Sequence, residues 1–235
     1  MTRSHSVLLA FDFDGTLAPI CDDPSAVQMP RGASALLAEA AESMGVAVAV
    51  VSGRDADDLA SRIGVSEAYL IGSHGLEIRG PGGVVVVDTP PLHIALEPEL
   101  AREIALSGLR LEWKKHAIAL HWRGIPPAAV APVVDLFRKW GRTNDLDVIE
   151  GRCVVEARCR GGGKETAIRW LASAIGAARV IYAGDDLTDF GALRFAAENG
   201  RGVFVASSER TPPPGVTVVE SFRELFRLVR EEVMI

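Results

Sequence analysis

The run Val7-Leu8-Leu9-Ala10-Phe11 is apolar at every position and ends on Asp12-Phe13-Asp14-Gly15-Thr16. A strand with no polar face must be covered on both sides, as in a parallel sheet wrapped by helices. Sheets of that kind bind ligands beyond the carboxyl ends of their strands, so Asp12 and Asp14 are placed to face one site. Val46 to Val51 repeats the pattern and ends at Ser52. Between the two runs, Ala33, Leu36, Leu37, Ala40 and Ala41 recur at helical spacing until Gly45 stops them.

The alternation continues along the chain. Asp55 to Ile63 reads as a helix opened by acidic residues, and Tyr69 to Ile71 as a short strand before Gly72-Ser73-His74-Gly75. Toward the end, Lys164 to Ile175, Leu187 to Glu198 and Ser221 to Glu232 read as helices, with strands at Val180 to Ala183 and Val203 to Val205. This is the signature of βαβ units. Residues 92–160 differ, with alternating strands around one helix, Pro127 to Trp140. The expected organisation is therefore a core built from 1–91 and 161–235, carrying an inserted α/β module at 92–160.

In the insert, Leu111-Glu112-Trp113-Lys114 and Ile118 to Arg123 alternate with period two. Glu112, Lys114, His121 and Arg123 fall opposite Leu111, Trp113, Leu120 and Trp122, and Glu156 with Arg158 continues the polar side. A solvated sheet face and a hydroxyl-recognising face both fit that pattern.

Composition narrows the partners. The 235 residues are long enough for a large core, and a charge of -6 argues against a nucleic-acid binder or a lipid-surface protein. A small-molecule partner is expected, and the oligomeric state is open. Cys21, Cys153 and Cys159 have neither CxxC nor zinc-finger spacing, which fits a reducing cytoplasm without disulfides or structural metal. Met1 to Ser6 leads straight into the first strand, leaving no room for a signal peptide, and no apolar stretch approaches the roughly 20 residues of a membrane span.

Four segments end at strand tips or helix starts: Asp12 with Asp14, Ser52 with Gly53, Lys164 after Gly161-Gly162-Gly163, and Gly184-Asp185-Asp186-Leu187-Thr188-Asp189. Singly, these are ordinary loop caps, turns and helix-terminal charges; together they match phosphoryl transfer. Asp12 can attack phosphorus, because an acyl phosphate is readily hydrolysed and divides one slow displacement into two easier ones. Asp14 can protonate the departing oxygen and then deprotonate the water. A phosphate dianion enters so acidic a site only if cations offset the carboxylates, which implies Mg²⁺, an oxygen-seeking ion that uses few carboxylates plus phosphate. Lys164 adds a second cation, Ser52 and neighbouring N–H groups donate to phosphate, and Asp189 can hold Lys164.

With these motifs the chain resembles the haloacid dehalogenase-like phosphatases. Through Asp14 to Ile20, Val51 to Arg54, Gly72 to Glu77, Glu112 to Lys114 and His121 to Arg123, it resembles more narrowly the trehalose-6-phosphate phosphatase family. The resemblance implies a Rossmann-like core with an inserted cap that closes over a sugar phosphate. It implies Asp12 as nucleophile, Asp14 as acid/base, Ser52, Gly53 and Lys164 on phosphate, and Asp189 as support for the lysine. For Mg²⁺ it implies Asp12, Asp185, the backbone carbonyl of Asp14 and the support of Asp186. Sugar recognition is implied for Glu77, Lys114, His121, Arg123 and Glu156. Two positions depart from the family pattern: Gly163-Lys164-Glu165 replaces Asp-Lys-Gly, and Trp122 stands where Tyr is common. Other readings are a phosphatase of sucrose phosphate or mannosyl-3-phosphoglycerate, a mutase, and a silent sugar-phosphate-binding relative.

Overall fold

A computed structural model describes residues 5–21, 23, 26–151, 153–206 and 210–233. The sequence reading of Met1 to Ser6 falls in part outside the described residues. Two compact units emerge, Met1–Asp88 with Gly163–Ile235, and Thr89–Gly162.

The first unit begins with β1 (Val7–Asp12), α1 (Arg31–Glu42), β2 (Val46–Val51), α2 (Ala56–Ile63) and β3 (Tyr69–Gly72), followed by the hairpin β4 (Glu77–Arg79) and β5 (Val85–Asp88). The second contains α3 (Pro98–Ser107), β6 (Arg110–Trp113), β7 (Ala117–His121), α4 (Pro127–Thr143), β8 (Asp147–Gly151) and β9 (Val154–Arg158). The chain then completes the first unit with α5 (Lys164–Ile175), β10 (Arg179–Gly184), α6 (Phe190–Asn199), β11 (Gly200–Val205), β12 (Thr217–Val219) and α7 (Phe222–Val233).

The first unit's sheet runs β12-β11-β10-β1-β2-β3-β4-β5, parallel through β3 and antiparallel in the last two strands. Its continuous apolar strands divide their side chains between two layers. Leu9, Phe11, Val48 and Val50 pack with Leu36 and Leu37 of α1, Leu59 of α2 and Leu225 of α7. Leu8, Ala10, Ala47 and Ala49 face Ile168 and Leu171 of α5 and Leu193 of α6. Each fully buried Leu or Ile contributes roughly 1.5–3 kcal/mol, so both layers are needed to hold these strands. β1 lies at the centre and pairs with β2 and β10, which sets Asp12 opposite Val51 and brings the β10 tip alongside.

Helix ends follow local chemistry. Asp55 lies outside α2 as its N-cap, accepting from Asp58 N at 2.7 Å, and Gly64 closes the helix with φ 63°. The expected helix from Leu187 is divided, with a 3₁₀ turn at Leu187–Asp189 before α6. β11 starts at Gly200, three residues before the expected strand; glycines disfavour strands, so Gly200-Arg201-Gly202 does not mark its start in sequence. Gly202 has a packing reason: a Cβ there would overlap the Leu193 carbonyl of α6.

The second unit is an antiparallel sheet in the order β6-β7-β9-β8. It carries two helices rather than the expected one, since α3 packs Leu100 and Ile104 into the same apolar cluster as Val134, Phe137 and Trp140 of α4. Its Pro98 start is a favourable first helical position. Trp113 corrects a second expectation: on the outer strand β6 it is 54% exposed rather than buried with Leu120. All three cysteines are free. Among the described residues no helix is long and apolar enough to cross a membrane.

Replacing Gly202 by Ala should force α6 away from β11 and cost about 1–3 kcal/mol. Urea unfolding would register this as a lower midpoint at unchanged slope.

Candidate active site

Lys164 opens α5 with its ammonium buried between two carboxylates, at 2.7 Å from Asp12 Oδ1 and 2.7 Å from Asp189 Oδ1. Burial alone would pull the lysine pKa down, but Asp12 and Asp189 outweigh it and hold the ammonium above its ordinary value. Asp189 is fully buried and uses both oxygens. Oδ1 also accepts from Tyr182 at 2.6 Å, and Oδ2 accepts from the N–H groups of Asp185 at 3.2 Å and Asp186 at 3.1 Å. It thus ties the lysine to the loop after β10. Gly184 leaves room for this, because a Cβ there would approach Asp189 Cβ at 2.6 Å.

Negative charge exceeds positive in this cluster. One oxygen from each of Asp12, Asp185 and Asp189 lies within 4.8 Å of the others. Burial, then Asp189, pushes the Asp12 carboxyl well above its usual range, against the pull of Lys164. Burial and Asp189 raise Asp185 to about 6. Asp185 Oδ1 is buried with no hydrogen-bond partner among the described residues. An orphaned carboxylate oxygen beside a second buried carboxylate fits an oxygen-seeking divalent cation. Asp12 and Asp185 would hold it, since Asp189 is committed to its donors. Gly15, at φ 90°, permits the approach, as a Cβ there would overlap the Asp185 carboxylate.

Asp186 does not join the acidic group that the motif placed it in. Its side chain is 45% exposed, and Arg210 pairs with it at 3.2 Å. It acts instead with Asp189 in a reciprocal cap of the Leu187–Asp189 turn. The Asp14 carboxylate also stands apart from the cluster, held by Arg54 through Nε and a terminal nitrogen, both at 2.7 Å. Arg54 bonds Asp58 as well and lies 5.5 Å from the Phe13 ring centroid. Neither Arg54 nor Tyr182 was singled out from sequence. The Arg54 position two residues after Ser52 was the available signal, whereas nothing local marks Tyr182.

Ser52 is buried just beyond the β2 tip, next to Asp12, and its Oγ accepts from Arg54 N at 3.1 Å. Glu77 is buried too, in the first unit rather than on the polar sheet face of the second. Its Oε2 accepts from Ala56 N and Ser73 Oγ, each at 3.0 Å, which fastens the start of α2 to the turn after β3.

In the second unit, register sets Glu112, Ala119 and Glu156 in one cross-strand row on the polar face, with Ala117 and Arg158 in the next. Lys114 meets Glu156 at 2.5 Å, and His121 meets Glu112 at 2.7 Å. Burial lowers the His121 pKa despite Glu112. Both alanines are buried beneath these charged groups. Arg123 falls in the turn after β7, off the strand.

Cation binding to this carboxylate group should weaken as pH falls through about 6, because protonated Asp185 loses its ligand charge. Titration of the purified protein with MgCl₂ by calorimetry at pH 7.5 and 5.5 would show the loss. Asp185→Asn should abolish binding at both values.

Comparison with known proteins bears on the family and the fold. A family model described as Trehalose-phosphatase matches residues 10–211. The trehalose-phosphate phosphatase of Mycobacterium marinum is 33% identical over 211 residues, which are 85% of this chain and 54% of that protein. That of Mycolicibacterium paratuberculosis is 35% identical over 217 residues, with the same coverage of 85% and 54%. A protein of Mycobacterium tuberculosis named as an uncharacterized glycosyl hydrolase is 37% identical over 218 residues, 84% of this chain and 16% of its own length. The chain thus spans about half the length of the curated phosphatases and a small part of the glycosyl hydrolase. In fold, it is similar to the C-terminal domain of Candida albicans trehalose-6-phosphate phosphatase, at a TM-score of 0.78 and 20% identity over 99% of this chain and 93% of that one. A haloacid dehalogenase-like hydrolase from Bacteroides thetaiotaomicron shares the fold at a TM-score of 0.71, with 15% identity over 95% of this chain and 98% of its own. The chain belongs to the trehalose-phosphatase family.

Proposed function

We propose that this chain is a Mg²⁺-dependent phosphatase that hydrolyses trehalose 6-phosphate to trehalose and inorganic phosphate. The observation that carries the reading is the buried Lys164 ammonium, clamped between Asp12 and Asp189 beside the orphaned Asp185 oxygen. A site built only to stabilise the fold gains little from such a group, since burying paired charges is often no better than packing apolar side chains. Toward a phosphate ester the same group supplies a nucleophile and compensating positive charge. Curated relatives named as trehalose-phosphate phosphatases support the choice of substrate.

In the first step an Asp12 oxygen bonds to phosphorus and the phosphorus–oxygen bond to the sugar breaks. Asp14 gives its proton to the departing sugar oxygen. In the second step Asp14 takes a proton from water, whose oxygen attacks the phosphoryl group, restoring Asp12 and releasing inorganic phosphate. Lys164 and the Ser52–Gly53 loop hold the phosphoryl oxygens throughout. Asp12 and Asp185 would hold Mg²⁺, which would supply positive charge to offset the negative charge of the substrate. Arg54 grips both Asp14 oxygens in the state described, so proton transfer requires Asp14 to release at least one of them.

The second unit is the proposed sugar-recognising cap. Its polar sheet face, with Lys114 paired to Glu156 and His121 to Glu112, is suited to hydroxyl groups. That preorganisation favours a neutral, hydroxyl-rich ligand, which can share these bonds without separating unlike charges.

Asp12→Asn should lower phosphate release from trehalose 6-phosphate by at least roughly a thousandfold while leaving the thermal midpoint within a few degrees, as loss of a nucleophile requires. Activity surviving that substitution contradicts the mechanism. Across phosphorylated mono- and disaccharides with MgCl₂, trehalose 6-phosphate should give the highest kcat/KM. A much larger value for sucrose phosphate or mannosyl-3-phosphoglycerate would reassign the substrate, and phosphate transfer to a second sugar would mark a mutase.

A further inference from the structure

The turn after β3 carries three consecutive residues in the left-handed region, Ser73 at φ 49°, His74 at φ 55° and Gly75 at φ 102°. Only the third is glycine. Backbone strain at two ordinary residues persists where surrounding structure over-determines it, and such positions concentrate at functional sites.

The surroundings show what the turn does. His74 N–H donates to the Ser52 carbonyl at 2.9 Å, and Ser73 N–H donates to the Arg54 carbonyl at 2.6 Å. The turn therefore straps the loop after β2 on both sides of Gly53. Between those two anchors, the Gly53 N–H makes no hydrogen bond among the described residues. The His74 ring supplies a wall. A Cβ at Gly53 would stand 2.6 Å from His74 Nε2 and 2.9 Å from Cε1, so the imidazole fills the volume that any other side chain at 53 would need. Gly53 does not have a positive φ, which leaves contact with the ring as the reason for glycine there. On the other side of the turn, Ser73 Oγ donates to the buried Glu77 carboxylate, which also receives Ala56 N–H. The strained turn is thus anchored to α2 rather than left to relax.

We infer that His74 is a positioning residue for the phosphoryl group: its ring and its N–H fix the Ser52–Gly53 peptide so that the unpaired Gly53 N–H is aimed as a donor to phosphate. The inference rests on the phosphatase reading of the Ser52–Gly53 loop. A donor displaced by even 1 Å loses much of its value in a preorganised site, so the ring acts on phosphate through the loop.

Replacement by Gly separates strain from ring. In His74→Gly the backbone holds the left-handed conformation without steric strain, which offsets glycine's entropic cost and the lost ring contacts, so the thermal midpoint should stay within a few degrees of the unmodified protein's. Its KM for trehalose 6-phosphate and its inhibition constant for inorganic phosphate should nevertheless both rise about tenfold or more, with a smaller change in kcat. His74→Asn, which also tolerates positive φ but lacks the ring, should behave alike. Gly53→Ala should weaken phosphate binding on its own, yet add little in the His74→Gly background, where the ring's volume is open. Unchanged phosphate inhibition in His74→Gly, or independent addition of the two substitutions, overturns the inference while turnover by the unmodified protein leaves the phosphatase reading standing. If the unmodified protein neither releases phosphate from any sugar phosphate nor is inhibited by it, both fall.

Discussion

A single buried ammonium organises the first unit. Lys164 stands at the start of α5, Asp12 at the end of β1, and Asp189 in the turn that leads into α6. These elements are far apart along the chain, and their charges are taken out of water together. Burying a lysine alone is costly; burying it between two carboxylates recovers much of that cost only if each oxygen is also hydrogen-bonded. Asp189 meets the requirement through Tyr182 and two backbone N–H groups. Asp185, a third carboxylate beside this pair, keeps one oxygen with no partner among the described residues. The cluster is therefore satisfied on the lysine side and incomplete on the side where a cation fits.

The glycines around this cluster hold its spacing. Gly15 admits the Asp185 carboxylate, Gly184 admits Asp189, and Gly53 admits the His74 ring. In each case the absent side chain is replaced by a functional group, from a distant segment at Gly15 and Gly53 and from the same loop at Gly184. Steric allowance and electrostatic arrangement are thus parts of one design: the charges can approach only because neighbouring positions have no Cβ. The same physics explains why the acidic residues separate in role. Asp185 points into the crowded interior and has a raised pKa, whereas Asp186, one residue later, turns outward to Arg210.

Much of the architecture is legible along the chain because burial on both faces leaves an unmistakable mark. Val7 to Phe11 and Val46 to Val51 have no polar face, so they belong between helical layers. Elements whose stability comes from neighbours are harder to read. β4 and β5 extend the sheet as a short antiparallel hairpin, with Val85 59% exposed, and no alternation marks them. α3 hides behind a proline-rich lead, and β11 begins in a Gly-Arg-Gly stretch. Within the site, Asp12, Asp14, Ser52, Lys164, Asp185 and Asp189 could be picked out by placement at strand tips and helix starts. Tyr182 could not, because inside an apolar strand its hydroxyl looks like any other core aromatic.

Local sequence determined where charge would be delivered: alternation and apolar runs set the strands, and the strands end where the aspartates stand. Tertiary structure decided which charge meets which. Spacing along a chain carries no information about whether Asp186 or Asp189 faces inward, whether Arg54 takes hold of Asp14, or which donors Glu77 receives. Those choices depend on competition among donors and on the volume left by glycines in distant segments, quantities that exist only once the layers have packed.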